Sequence, residues 1–312
     1  MDEEREVSTL RRIALFPLTR IVLTLALTAL LAIVLVVIIG RRHLNPAVQE
    51  TILALASVTG LLVIGRFIEK RPASALGFPR KKALSHLAMG FLIGAAMLAV
   101  VVGVMAIAGW YRIAGVPAHP FSAIGGETGT IGAFIGALVF FLLVAVFEET
   151  VSRGVIMRIT EDGLGSWMAI AISSLMFGFG HLGNPNSSLL AAVAITIEAG
   201  VLLGAGYLLT RDLWLPIGLH WAWNLFEGPI FGTPVSGKDF SVLATTRIGG
   251  PSIMTGGRFG PEAGLIAMIV GAVTGLLLLW LAHRKGNILA PPWVMKKRVV
   301  PEGTRAGRGG YP

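Results

Sequence analysis

Long runs without a charged residue recur along this 312-residue chain, and they constrain its fold more than any other feature. Several of these runs reach the roughly 20 residues that an α-helix needs to cross the hydrocarbon core of a bilayer. Only 14% of the residues are charged, against about 25% in a typical soluble domain. The composition excludes a soluble enzyme, and the sequence predicts an all-α, polytopic bundle of transmembrane helices.

The basic residues predict how this bundle is oriented. Of the 26 lysines and arginines, 20 lie in one set of alternate connections and 6 in the other. Because positive charge accumulates on the cytoplasmic side, both termini are expected in the cytoplasm. The same placement explains the net charge of +9 without nucleic acid as a partner. Eight apolar spans give this pattern, at residues 21–39, 48–65, 83–109, 129–147, 166–181, 187–210, 213–229 and 263–282.

The remaining segments complete a linear map of the chain. Its parts are a basic cytoplasmic N-terminus (1–20), spans 1–3 with their loops (21–128), spans 4–7 (129–229), a Gly/Pro-rich loop (230–262), span 8 (263–290) and a basic tail expected to be disordered (291–312). Lys296, Lys297 and Arg298 in the tail are expected to contact anionic lipid. Cysteine is absent, so a thiol nucleophile is excluded.

Ionisable residues inside a membrane are expensive and mark functional sites. Apart from Glu50 and His86 near the starts of spans 2 and 3, the polar groups cluster between span 4 and span 7. They are Glu148, Glu149 and Arg153 after span 4, His181 at the end of span 5, Glu198 in span 6, and His220, Asn224 and Glu227 in or just after span 7. The spacing of Glu149 and Arg153 predicts an i, i+4 ion pair. A turn near Gly163–Gly165 would bring Glu148 and His181 to a similar height on neighbouring antiparallel helices.

These residue types indicate hydrolysis by activated water. A carboxylate such as Glu148 can act as a general base, and an imidazole can orient the water. A second histidine with an asparagine can donate hydrogen bonds to an oxyanion. Two histidines and a glutamate, namely Glu148, His181 and His220, also match a catalytic zinc set with an open position. Aspartate never occurs in the middle of a span, which excludes a two-aspartate protease.

Simple helix geometry does not bring all of these groups together. With straight spans, His181 falls near the outer end of span 5. His220 lies only nine residues, roughly 13 Å, from the cytoplasmic turn at Arg211 and Asp212. Tilted or bent helices are therefore required if the polar groups form one site.

Three short patterns resemble the motifs of a known family, the CAAX protease and bacteriocin-processing family of intramembrane peptidases. The sequence at 148–153 resembles its E-E-x-x-x-R motif, 177–181 resembles F-x-x-x-H, and 220–224 resembles H-x-x-x-N. Each motif is weak alone, but the three occur in order and on apolar spans, over about residues 130–230. The family includes the eukaryotic type II CAAX prenyl endopeptidase.

The resemblance implies an integral-membrane endopeptidase that cleaves a membrane-associated protein or peptide, in a bacterial or archaeal plasma membrane. It implies that Glu148 activates water, that His181 assists, and that His220 and Asn224 stabilise the oxyanion. Glu149 and Arg153 would support the site. No cofactor is expected to be required, with zinc on Glu148, His181 and His220 as the alternative.

Two other functions fit the same sequence. One is a non-catalytic membrane scaffold or immunity-type partner that binds through the 230–262 loop. The other is an ion or proton pathway through Glu148, Glu198 and the histidines. Polar residues do not recur along every span, which argues against a continuous pathway, and Glu198 is expected to be structural.

Overall fold

The computed structural model describes residues 9–295, and it confirms the all-α class. Residues 1–8 and the lipid contacts expected of Lys296, Lys297 and Arg298 lie outside the described residues. The α-helices are α1 Thr9–Leu15, α2 Pro17–Ile39, α3 Pro46–Phe67, α4 Ala83–Ile107, α5 Gly129–Glu149, α6 Arg158–Gly180, α7 Leu189–Ile195, α8 Leu202–Thr210, α9 Trp214–Leu225, α10 Ser252–Thr255, α11 Leu265–Arg284 and α12 Pro292–Met295.

Three wider, π-helical segments interrupt the α-helices around the region that carries the motifs. They are Thr150–Met157 between α5 and α6, Thr196–Val201 between α7 and α8, and Phe226–Ile230 after α9. A π-helical turn bonds residue i to i+5 and is frequent at functional sites. Shorter 3₁₀ turns lie at Arg41–His43, Ala73–Leu76, His181–Gly183 and Pro261–Ala263.

Within residues 9–295, six helices are long and apolar enough to cross a membrane. One of them runs from 129 to 183 and covers the fourth and fifth expected spans. It bends at Gly165, whose φ of 76° and ψ of 172° are not helical, so the expected turn near Gly163–Gly165 is present. The seventh expected span corresponds to α9 and the π-helical residues after it. The count of eight spans and the cytoplasmic termini stay predictions.

The outer surface of the helices is apolar, as a lipid-facing surface requires. Large aliphatic side chains such as Val37, Ile38 and Ile107 are exposed on α2 and α4. A contiguous apolar surface of this kind marks an interaction with lipid or protein. The helical architecture therefore fits an integral membrane protein.

Glycines allow the helices to approach closely. A Cβ on Gly90 of α4 would lie 2.1 Å from the Leu215 carbonyl oxygen of α9, and one on Gly218 of α9 would lie 2.0 Å from the Leu87 carbonyl oxygen. A Cβ on Gly271 of α11 would likewise lie 2.8 Å from the backbone of Glu198. Small residues at helix crossings are typical of membrane bundles.

The segment between α9 and α11, expected as a Gly/Pro-rich loop, contains regular structure. Its strand β2, Thr245–Ile248, pairs antiparallel with β1, Tyr111–Gly115. Its residue Gly237 donates a backbone hydrogen bond to the Phe259 carbonyl and lies against Pro185 in the turn after His181. The segment is thus folded against the helices that carry the motifs.

Candidate active site

The four candidate catalytic residues line one cavity of about 160 Å³, and these residues are Glu148, His181, His220 and Asn224. The bent helices that the depth argument required are therefore present. Arg211, at the turn before α9, contacts Glu161 on α6 rather than the bend at Gly165. Eight π-helical residues, 150–157, lie between Glu148 and Glu161. Because π-helical turns are wider than α-helical turns, a depth counted along a straight α-helix does not apply to Glu148.

Glu148 and Glu149 end α5 and lie in different surroundings. The Glu148 side chain is 27% exposed and faces the cavity, whereas the Glu149 side chain is fully buried. Glu149 Oε1 accepts a hydrogen bond from Nη1 of Arg153 at 2.9 Å, which confirms the expected ion pair. The pair is completely buried and is not on the helix surface, so it helps to fix the inner wall of the cavity.

Arg153 joins three elements behind the cavity. Its Nη2 donates to the carbonyl oxygens of Ala199 and Gly200, at 3.2 and 3.0 Å, in the π-helical segment Thr196–Val201. Its guanidinium also lies 4.5 Å from the ring centroid of Phe177. A planar guanidinium suits this combination of hydrogen bonds and stacking.

His220 lies between the two carboxylates. Its Nδ1–H donates to Glu149 Oε1 at 2.9 Å, and its Nε2 lies 3.9 Å from Glu148 Oε2. A hydrogen bond at one ring nitrogen fixes the orientation of the ring and determines what the other nitrogen faces. Glu149 therefore turns Nε2 of His220 towards Glu148 and the cavity.

His181 and Asn224 complete the four. His181 Nδ1–H donates to the Phe177 carbonyl at 2.8 Å, which leaves Nε2 free for a ligand. Asn224 is 7% exposed and its amide has no side-chain hydrogen bond within residues 9–295, so its donors are free for a ligand in the cavity. The arrangement combines a carboxylate, two oriented imidazoles and a free amide.

Four further residues line the cavity, and of these only Glu198 was considered from the sequence. Glu50 comes from the first turns of α3, Ser236 and Glu262 from the segment between α9 and α11, and Glu198 from the π-helical segment after α7. Glu198 was expected to be structural, yet its carboxyl group faces the cavity. The only sequence signal for Glu262 is an acidic residue immediately before an apolar span.

The zinc alternative was tested against the positions of candidate ligands. Across the described part of the chain, no three His, Asp or Glu side chains are grouped so that they could hold one metal ion. Glu148, His181 and His220 line the same cavity, but they do not form such a group. Within the described residues, the zinc alternative therefore has no preformed ligand group.

Comparison with known proteins adds an independent observation. Residues 130–226 match the family model described as type II CAAX prenyl endopeptidase Rce1-like. Over this segment, the chain is similar to the CAAX proteases. The matched residues include Glu148, His181, His220 and Asn224, and they end before the 230–262 segment. No curated protein matches the chain. The family resemblance given by the three motifs is confirmed.

Proposed function

We propose that the protein is an integral-membrane endopeptidase that hydrolyses a peptide bond with water activated by Glu148. The observation that carries the proposal is the single cavity lined by Glu148, His181, His220 and Asn224, within the segment that matches the CAAX protease family. The substrate is a membrane-associated protein or peptide, and the membrane is a bacterial or archaeal plasma membrane.

The proposed reaction begins at Glu148. Its carboxylate takes a proton from a water molecule, and the hydroxide adds to the peptide carbonyl carbon. His181 accepts a hydrogen bond from the water at Nε2, since Nδ1–H is held by the Phe177 carbonyl. A carboxylate positioned within hydrogen-bond reach of the water can act as the general base.

The negative charge then develops on the former carbonyl oxygen. Asn224 donates to this oxyanion from its amide. An imidazolium at His220 would donate from Nε2 while Nδ1–H stays on Glu149. The C–N bond breaks as Glu148 returns its proton to the leaving amine, so the reaction forms no acyl-enzyme. Removal of one oxyanion donor typically lowers kcat by about 10²–10³.

The test compares membrane-protein termini in host cells that express wild type or Glu148→Gln at matched levels. We expect new N- or C-termini only with wild type, because glutamine cannot accept the proton. Glu127→Gln is a suitable control, since Glu127 is outside the cavity lining, and it should give the wild-type pattern. Identical termini with wild type and Glu148→Gln would contradict the proposal and favour the scaffold function.

We also propose a glutamate-type enzyme that needs no metal. Support comes from the absence of a three-residue ligand group in the described part of the chain. Cleavage by purified protein should then persist after treatment with a strong zinc chelator. Loss of cleavage on chelation, with recovery on adding zinc, would favour the metallopeptidase alternative.

A further inference from the structure

One wall of the cavity carries acidic groups that the proposed reaction does not use. Glu198 is 2% exposed and Glu262 is 6% exposed, and both line the cavity. They come from different elements, the π-helical segment Thr196–Val201 and the 3₁₀ turn Pro261–Ala263. Two buried carboxyl groups therefore face the same space from separate parts of the chain.

Glu198 is the unusual member, because it has no partner. Its carboxyl group makes no hydrogen bond and no ion pair within residues 9–295, and the charged group that acts on it is the Glu262 carboxyl. A buried carboxylate inside a membrane protein is strongly disfavoured unless it is paired. A buried carboxyl group without a partner is therefore a candidate binding point for a group that carries a positive charge.

Glu262, in contrast, is held firmly in place. Its Oε1 accepts hydrogen bonds from the backbone N–H and the hydroxyl of Ser236, at 2.7 and 2.8 Å. Its own N–H donates to Glu227 Oε1 at 3.3 Å. Glu262 is therefore held by partners of its own, while Glu198 is left for a ligand.

The basic groups that line the cavity have other neighbours. His220 is bonded to Glu149, and the charge of Lys238 acts on Glu50. His181 acts on Glu262 and makes its hydrogen bond to Phe177. No lysine or arginine in the cavity lining therefore pairs with Glu198.

The walls around Glu198 are aliphatic, and they are Ile195, Ala199, Leu202 and Leu203. Such walls accept the methylene stem of a basic side chain while its charged end meets a carboxylate. A divalent cation is not favoured, since no group of three candidate metal ligands is present among residues 9–295.

We infer that Glu198, with Glu262 beside it, forms a specificity subsite for a basic side chain of the substrate, and lysine is the side chain that we propose. This inference rests on the proposed peptidase function and names a feature of its substrate. The scissile bond at Glu148 lies in the same cavity, so the basic residue is within a few positions of the cleaved bond.

The test uses lipid-anchored peptides in which a single lysine is moved along an otherwise neutral sequence, with norleucine peptides as uncharged isosteres. We expect one lysine position, at a fixed distance from the cleaved bond, to matter. There, wild type in proteoliposomes should cleave the lysine peptide at least about tenfold faster than the matching norleucine peptide. Glu198→Gln should bring this ratio close to one. Glu198→Asp, which keeps the charge, should retain part of the preference, and Glu127→Gln should retain all of it.

Binding of the same peptides to the Glu148→Gln variant separates the two proposals. Tighter binding of the lysine peptide, lost in the Glu148→Gln/Glu198→Gln double variant, supports the subsite even if wild type cleaves nothing and the peptidase proposal fails. Equal binding and equal cleavage of lysine and norleucine peptides by wild type would overturn the subsite. So would a lysine preference that survives in folded Glu198→Gln.

Discussion

Two regions of the molecule bury carboxylates in opposite ways. Glu69, just after α3, has a side chain that is 2% exposed and receives two hydrogen bonds from Arg158, at 2.7 and 3.0 Å. Arg20 of α2 lies 2.8 Å from the same carboxylate. Glu198 is 2% exposed as a whole residue but has no basic partner within residues 9–295. Complete pairing indicates a structural role, and a missing partner indicates a place for a ligand.

The Glu69 cluster connects three parts of the bundle. Arg158 belongs to the first turn of α6, Arg20 to α2, and Glu69 to the connection after α3. Asp162 extends the cluster by accepting from Arg20 at 2.9 Å and lying 3.2 Å from Arg71. The cluster joins helices around the cavity, whereas the cavity carboxyl group of Glu198 is available to a ligand.

The largest expected effect is on stability, from removal of one partner in the paired region. Arg158→Met removes the bidentate partner of Glu69. Breaking a buried ion pair in this way lowers the free energy of unfolding by about 3–5 kcal/mol. Thermal unfolding of the purified protein in detergent measures this loss. Arg71→Met is the control, since Arg71 is 40% exposed and 3.9 Å from Glu69, and an exposed pair contributes about 0–1 kcal/mol.

Glu198→Gln belongs in the same unfolding experiment. Because Glu198 has no partner to lose, we expect its substitution to leave the unfolding temperature unchanged or to raise it. A loss as large as that of Arg158→Met would break the distinction between the two regions, because it would show that Glu198 has a structural partner.

The next effect concerns the segment that brings Glu262 to the cavity. Gly237 has a φ of +82°, and a Cβ there would lie 1.8 Å from the Pro185 carbonyl oxygen. Gly237→Ala should displace the neighbouring Ser236, which holds Glu262. We expect peptide cleavage to fall about tenfold or more, since small misplacements in an active site have effects of this order.

Gly286→Ala provides the matched control for this change. Gly286 has a similar φ of +71°, but nothing lies within 4 Å of a Cβ built there. Both variants carry the strain of a left-handed backbone, which is roughly 1–2 kcal/mol, and only Gly237→Ala adds the clash. Equal activity of the two variants would mean that the segment does not position Glu262.

The sequence was sufficient to predict the ion pair and part of the candidate site, because these spacings are local. The pairs Glu149 with Arg153 and His220 with Asn224 lie one helical turn apart, and hydropathy places their helices in the membrane. The bend at Gly165 was also predicted, from a cluster of glycines between apolar spans.

The acidic wall was not predictable in this way, because it depends on contacts between distant segments. Glu262 meets Glu227 across 35 residues, and Glu198 faces the cavity from a π-helical segment that no short pattern specifies. The pairing of β1 with β2 likewise joins residues more than 120 positions apart, such as Tyr111 and Ile248. Only the folded chain reveals that Glu198 lacks a partner.

The smallest expected effect, a difference in pH dependence, follows from the pKa values of two carboxyl groups. Burial alone would raise the pKa of Glu69, but the hydrogen bonds and charges of Arg158 and Arg20 outweigh it and lower the pKa from 4.5 to about 2. Burial raises the pKa of Glu262, although the charge of His181 and the Ser236 hydrogen bonds act against it.

The two shifts predict opposite slopes of stability against pH. Glu69 stabilises the fold fully above pH 4.5, and this contribution disappears as the pH falls from 4.5 towards 2, because the unfolded chain takes up the proton first. Glu262 behaves in reverse: as the pH rises through 4.5, the unfolded chain ionises first and the fold loses stability. Unfolding temperatures between pH 3 and about 7, for wild type, Glu69→Gln and Glu262→Gln, measure both slopes. Parallel curves for the two variants would show that the paired and unpaired regions do not differ electrostatically.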